Sequence, residues 1–152
     1  MRLKTTTAFL WALGATASLM IVLSAPMLSE QKHESKFLQN DPSLYVALGK
    51  APKKAVGRRN PMEGDPDALA AGATLFALRC AECHGEMAEG GRKGPSLRVD
   101  PVRQAAPGTL FWLLTNGVVR KGMPVWSKLP EPQRWQLVSY LKSLQPFEKA
   151  GR

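Results

Sequence analysis

The sequence predicts an all-α protein, with a small helical domain at residues 67–152 preceded by a hydrophobic N-terminal helix at 1–28 and a flexible polar tether at 29–66. Three observations lead to this prediction. Apolar residues recur at helical spacing in the C-terminal part, no segment alternates as a strand does, and residues 8–28 form an uncharged apolar run. A chain of 152 residues has room for one such domain plus appendages.

The N-terminal apolar run is long enough to cross a membrane. Residues 8–28 would form a helix of about 31 Å, which matches the hydrocarbon core of a bilayer. A cleavable export signal has a shorter apolar region and a small-x-small exit, whereas here Pro26 directly follows Ala25 and disfavours cleavage. We therefore expect an uncleaved membrane anchor, with a cleaved export signal as the alternative.

The stretch 29–66 is polar, rich in proline and basic residues, and without sustained periodicity, which is typical of a semi-flexible tether. One short helix is predicted inside it, from the N-cap Asp41 to Gly49. Its apolar residues would rest either on the membrane or on the helical domain. The basic run 50–59 is interpreted as a solvated linker, with anionic-lipid contact as the alternative.

Three helices are predicted in the domain itself. The first has Asp67 as its N-cap and runs up to Cys80, the second spans Gly108–Asn116, and the third runs from about Pro132 to Leu144. Three such helices bury little apolar surface for a domain of this size. A large apolar cofactor is expected to complete the core.

The two cysteines of the chain stand three positions apart, in Cys80–His84 with the sequence Cys-Ala-Glu-Cys-His. This is the attachment motif of haem c: two thiols on one helical turn add to the two vinyl groups, and the following imidazole coordinates the iron. A thioredoxin-like pair would follow a strand, and a zinc site would need two further ligands although His33 is the one other histidine. Chance occurrence of the motif is the remaining alternative.

Met123 is the candidate for the second axial iron ligand. It lies in a Gly-Met-Pro loop between the second and third predicted helices. A thioether is a soft, neutral ligand suited to low-spin iron, and His/Met ligation raises the reduction potential. The alternative is a methionine that fills a gap in the core.

With these motifs in hand, residues 67–145 resemble the class I monohaem cytochromes c of the short bacterial type. The resemblance covers about half of the chain. The matching elements are Gly72-x-x-Leu75-Phe76, Cys-x-x-Cys-His-Gly at 80–85, Gly94-Pro95-Ser96-Leu97, Asn116-Gly117, Met123-Pro124-x-Trp126, and a last helix containing Trp135 and Tyr140-Leu141.

The resemblance implies a cytochrome c-like helical domain wrapped round one covalent haem, with roles for particular residues. The first and last helices would cross closely at Gly72. The carbonyl of Pro95 would accept the Nδ1–H of His84, and Trp126 would pack against the haem edge and donate to a propionate. Pro95 as an ordinary turn residue and Trp126 as core packing are the alternatives.

The function implied by the resemblance is one-electron transfer without enzymatic turnover, on the outer, periplasmic side of a bacterial cytoplasmic membrane. Expected partners are a quinol-oxidising complex or dehydrogenase as electron donor and a terminal oxidase as acceptor. A fixed subunit of a respiratory complex and a haem peroxidase-like enzyme are the alternatives, and a cleaved N-terminus would give a soluble periplasmic carrier. The net charge of +9 is spread along the chain without interleaved aromatics, so no nucleic-acid partner is expected.

Overall fold

The computed structural model describes residues 42–146, which form helices and loops with one isolated antiparallel bridge, Val118–Met123, and no strand. The all-α prediction is therefore confirmed. The α-helices, in chain order, are α1 (Lys53–Val56), α2 (Pro66–Arg79), α3 (Ala81–His84), α4 (Asp100–Gln104), α5 (Pro107–Asn116) and α6 (Glu131–Ser143), and two 3₁₀ helices span Pro42–Lys50 and Val119–Lys121.

The predicted hydrophobic helix within residues 1–28 lies outside the described residues, as do residues 29–41 of the predicted tether and the last six residues. Among residues 42–146, no helix is long and apolar enough to cross a membrane.

The first domain helix begins two residues earlier than predicted. Asp65, not Asp67, is the N-cap: its carboxylate accepts hydrogen bonds from the backbone N–H groups of Asp67 and Ala68 at 2.9 and 3.2 Å. Pro66 occupies the first helical position, where its missing N–H costs nothing. Asp67 therefore lies in the first turn, where its charge is favourable at the positive end of the helix dipole.

Helices α2 and α6 cross at Gly72, as the resemblance implies. An added Cβ at Gly72 would overlap the backbone carbonyl oxygen of Gln136 and would lie 2.6 Å from its carbonyl carbon. Around this crossing lies the core cluster, most of it contributed by α2, α5 and α6. Its members are Phe76, Ala88, Val102, Leu110, Phe111, Leu114, Trp135, Leu137, Val138, Leu141 and Leu144.

Substituting Gly72 by alanine is expected to destabilise the domain strongly. The new methyl group meets backbone rather than a mobile side chain, so the two helices must separate, which costs about 3 kcal/mol or more. Thermal unfolding of the holoprotein should show a melting temperature lower by roughly 10–20 °C. Gly57→Ala is the matched control: Gly57 has φ −72° and its added Cβ meets only the Lys53 carbonyl oxygen, at 3.6 Å. Equal stability of both variants would contradict the close crossing.

The described part of the expected tether is packed against the helical domain. Tyr45 and Leu48 lie against the core cluster, whereas Val46 is 57% exposed. The sequence predicts that this short helix rests either on the membrane or on the helical domain, and in the structure it packs against the domain. We call residues 42–60 the N-terminal strap.

The strap is attached at its far end by Arg58 and Asn60. The Arg58 guanidinium lies 4.4 Å from the Phe111 ring centroid and 5.1 Å from that of Trp135, and it pairs with Glu131 at 2.5 Å. Asn60 is buried, and its amide donates to the Trp135 carbonyl and the Ser139 hydroxyl at 3.3 and 2.8 Å. The semi-flexible tether expected over 29–66 is thus not seen over 42–60, because these contacts fix the segment to α5 and α6.

Close backbone packing holds the middle of the strap. An added Cβ at Gly108, in the first turn of α5, would overlap the Ala55 carbonyl oxygen and lie 2.8 Å from that of Arg58. A larger residue at this position would lift α1 away from α5. The domain therefore extends in space to include residues that precede its predicted start at 67.

Candidate functional site

The attachment motif forms a single helical turn directly after α2. The N–H groups of Cys83 and His84 both donate to the Cys80 carbonyl, at 3.1 and 3.0 Å, which places the two thiols and the imidazole on one turn. Gly85 ends the turn with φ +82°. Both cysteines are free thiols with partial exposure. Burial, and secondarily the neighbouring Cys83, raises the pKa of Cys80 to about 11, so this thiol is protonated at neutral pH.

The imidazole of His84 is held by the carbonyl oxygen of Pro95, 2.8 Å from Nδ1. A carbonyl can only accept, so Nδ1 carries the proton and the lone pair of Nε2 is available to a metal. Burial lowers the pKa of His84, and the hydrogen bond to Pro95 opposes this shift. The ring is therefore neutral at pH 7, the form that coordinates iron. Gly94 lies beside it, where an added Cβ would be 3.2 Å from the ring atoms Cε1 and Nδ1.

The loop carrying Pro95 is fixed by backbone and hydroxyl contacts. The Leu97 N–H donates to the Ala88 carbonyl at 2.9 Å, and the hydroxyl of Ser96 donates to the same carbonyl at 3.3 Å. Ser96 is 2% exposed, and its own carbonyl accepts from the Tyr45 hydroxyl at 3.0 Å. Sequence reasoning did not identify Tyr45 and Ala88 as site residues, since nothing in their local sequence marks a long-range contact.

Met123 lies in a loop fixed to the end of α5. Val118 and Met123 exchange two backbone hydrogen bonds, of 3.0 and 3.2 Å, and the Trp126 N–H donates to the Leu114 carbonyl at 3.0 Å. Gly117 has φ +65°, and an added Cβ there would lie 2.5 Å from the Pro124 carbonyl oxygen. The tight turn at Gly117 therefore fixes the backbone position of Met123.

The residues present fit a covalently bound haem. Two free thiols share a turn with an imidazole whose Nε2 is available, and a separate loop supplies a thioether. Several apolar side chains that pack against the core cluster are only partly buried; they include Leu75, Leu97, Met123 and Trp126. Among residues 42–146, no group of three or more His, Cys, Asp or Glu side chains could hold a metal ion.

A strand-free helical domain with this attachment turn and a fixed histidine defines a c-type haem protein. The comparisons agree. A family model described as cytochrome c oxidase, cbb3-type, subunit III matches residues 67–141. The crystal structure of cytochrome cL from the marine methylotrophic bacterium Methylophaga aminisulfidivorans MPT matches with a TM-score of 0.50 and 26% sequence identity, over 57% of this chain and 59% of that one. No curated protein sequence matches the chain.

The helical domain and its attachment turn are thus similar to those of class I monohaem cytochromes c. The family match and the attachment turn fit one covalently bound haem c. The chain spans about three fifths of the length of the cytochrome cL that it matches.

Proposed function

We propose that this protein is a class I monohaem cytochrome c and a one-electron carrier anchored in the bacterial cytoplasmic membrane, with its haem domain on the periplasmic side, in a respiratory or dehydrogenase-linked chain. Cys80 and Cys83 would form the two thioether bonds to the haem, and His84 and Met123 would ligate its iron. The observation that carries the proposal is that His84 lies on the attachment turn with its Nδ1 held by Pro95, while Met123 lies in a separate hydrogen-bonded loop. Two protein ligands to the iron would leave no position for a substrate, which favours electron transfer over catalysis.

The bound haem supplies the Fe(III)/Fe(II) couple, and the chain's own residues set its surroundings. The Pro95 carbonyl orients the His84 ring and increases its basicity. The double hydrogen bond between Val118 and Met123 holds the thioether loop in one conformation. Because the His84 ring and the Met123 loop are both held by hydrogen bonds, little rearrangement would accompany electron transfer.

The segment that follows α5, residues 117–130, has the charge and exposed apolar residues to bind an acidic redox partner. Residues 117–130 contain three basic side chains and no acidic one. Within this segment Val119 and Val125 are 65% and 47% exposed, on either side of Met123 in the sequence. Apolar contact surrounded by positive charge favours rapid, reversible docking to a negatively charged face.

Packing of the strap shortens the tether in this proposal to residues 29–41. Thirteen residues span at most about 45 Å when fully extended. The haem domain would therefore serve partners that lie next to the anchor in the same membrane, a quinol-oxidising complex or dehydrogenase as donor and a terminal oxidase as acceptor. Confinement of this kind raises the effective concentration of the domain at both partners.

A fixed subunit of a respiratory complex is the second candidate function. It is favoured by the match of residues 67–141 to a family model named for subunit III of a cbb3-type oxidase. It predicts that the protein purifies from mild detergent together with other subunits, whereas the carrier purifies as a single chain.

Fractionation of a host that matures cytochromes c tests the proposal. The full chain should remain in the membrane pellet after an alkaline wash, with its haem accessible to a reductant confined to the periplasm. The matched control replaces residues 1–28 by a cleavable export signal and should release a soluble haem protein with the same visible spectrum. Recovery of the full-length haem protein in the soluble fraction, or on the cytoplasmic side, would contradict the proposed anchor and orientation.

A further inference from the structure

The strap contacts the loop that carries Pro95, the hydrogen-bond acceptor of His84. Tyr45 lies in the 3₁₀ helix Pro42–Lys50, and its hydroxyl donates to the Ser96 carbonyl at 3.0 Å across a separation of 51 residues. Tyr45 is partly buried and packs against the core cluster. The position of Tyr45 is thus determined by the packing of the strap and not by the loop that carries Pro95 and Ser96.

The backbone conformation of Ser96 determines whether the Pro95 carbonyl points at the His84 ring. The peptide unit joining Pro95 to Ser96 carries the carbonyl that accepts from His84 Nδ1. The next unit, joining Ser96 to Leu97, is held at both ends: its N–H donates to Ala88 and its carbonyl accepts from Tyr45. Rotation about the Ser96 backbone would tilt the Pro95 carbonyl away from the imidazole, and the two hydrogen bonds on the second unit oppose that rotation.

We propose that Tyr45 is a positioning residue for the proximal iron ligand, which it acts on through Ser96 and Pro95. The N-terminal strap is then part of the redox site: its docking keeps the His84 ring oriented and its Nδ1–H hydrogen-bonded. This proposal rests on iron ligation by His84, as proposed above.

The test compares Tyr45→Phe with Tyr140→Phe in the reduced, low-spin holoprotein. Both variants remove one phenolic hydroxyl and keep the ring. Tyr140 is the other tyrosine of the chain, and it packs its ring against Phe76 with centroids 5.1 Å apart, in the α2–α6 crossing. The readouts are solvent exchange of the His84 Nδ1 proton and of the Leu97 amide by NMR, together with the reduction potential.

We expect Tyr45→Phe to speed exchange of both protons roughly three- to tenfold, which corresponds to loss of one ordinary hydrogen bond. The reduction potential should rise, because a weaker bond to Pro95 makes the imidazole a poorer donor to Fe(III). Tyr140→Phe should leave exchange and potential as in the wild type even if its melting temperature falls. Unchanged exchange and potential in Tyr45→Phe, or equal changes in both variants, would overturn the proposal.

The NMR spectrum of the wild type tests the positioning role of Tyr45 separately from the assignment of His84 as an iron ligand. A haem-bound His84 with a slowly exchanging Nδ1 proton must be present before the comparison is made. Its absence would overturn the assignment of the iron ligand, and the positioning role of Tyr45 with it. A normal wild type with an unresponsive Tyr45→Phe would overturn the positioning role alone.

Discussion

The double variant Cys80→Ala/Cys83→Ala is expected to yield no folded haem domain. Without the thioether bonds the haem is not retained, and the side chains that pack beside it lose their apolar neighbour. A ligand present at a thousand times its dissociation constant stabilises the folded state by about 4 kcal/mol. That is a large share of the roughly 5–15 kcal/mol by which a whole domain is stable.

This expectation is checked by haem staining, far-UV circular dichroism and protease resistance after export. Glu82→Ala is the matched control, since Glu82 lies on the same turn between the two cysteines. Its side chain is 81% exposed and pairs with Lys93 at 2.6 Å, so its loss should leave haem content and helicity unchanged. A double cysteine variant that remains helical and protease-resistant without haem would refute the role of haem in the core.

The second large effect is expected at Met123. Replacing it by histidine should keep the haem low-spin and lower the reduction potential, because a second imidazole donates more strongly to Fe(III) than a thioether does. The expected fall is on the order of 0.2 V, within the roughly 0.8 V that axial ligation covers. Potentiometric titration of the purified holoprotein measures it.

Met87→His is the control for this substitution. Met87 is 61% exposed and follows the attachment turn closely, so a histidine there has no route to the far side of the haem. The control should titrate like the wild type. If Met123→His also titrates like the wild type, Met123 does not coordinate the iron.

The same position separates a carrier from a peroxidase-like enzyme. Met123→Ala should open an axial position, producing high-spin haem and peroxide turnover that the wild type lacks. An enzyme would instead contain high-spin haem in the wild type, and its activity would survive the loss of Met123. Visible spectra and a peroxide assay of the two proteins distinguish these outcomes.

The sequence predicts the domain helices and the attachment turn because both depend on local patterns. Helices α2, α5 and α6 carry their apolar residues at helical spacing, and their observed ends lie within two residues of the predicted ones. The cap of α2 could have been predicted more closely. Pro66 favours the first helical position and so selects Asp65, rather than Asp67, as the N-cap.

The packing of the strap could not be predicted in this way, because the residues that make its contacts do not recur at any regular spacing in the sequence. Arg58 is held by two aromatic rings and Asn60 by a backbone carbonyl and a hydroxyl of α6. Each partner is distant in sequence, and a basic, proline-rich segment has the composition of a linker. The contact of Tyr45 with Ser96 could not be predicted for the same reason. Side-chain to backbone contacts over such separations leave no mark on either local sequence.

The most direct test of the account is the intact mass of the protein isolated from the membrane fraction of a host that matures cytochromes c. We predict a single species with the mass of the full chain plus one haem, which would establish covalent attachment and an uncleaved N-terminus together. A protein without any haem adduct, from a host that loads other cytochromes c, would contradict the central claim.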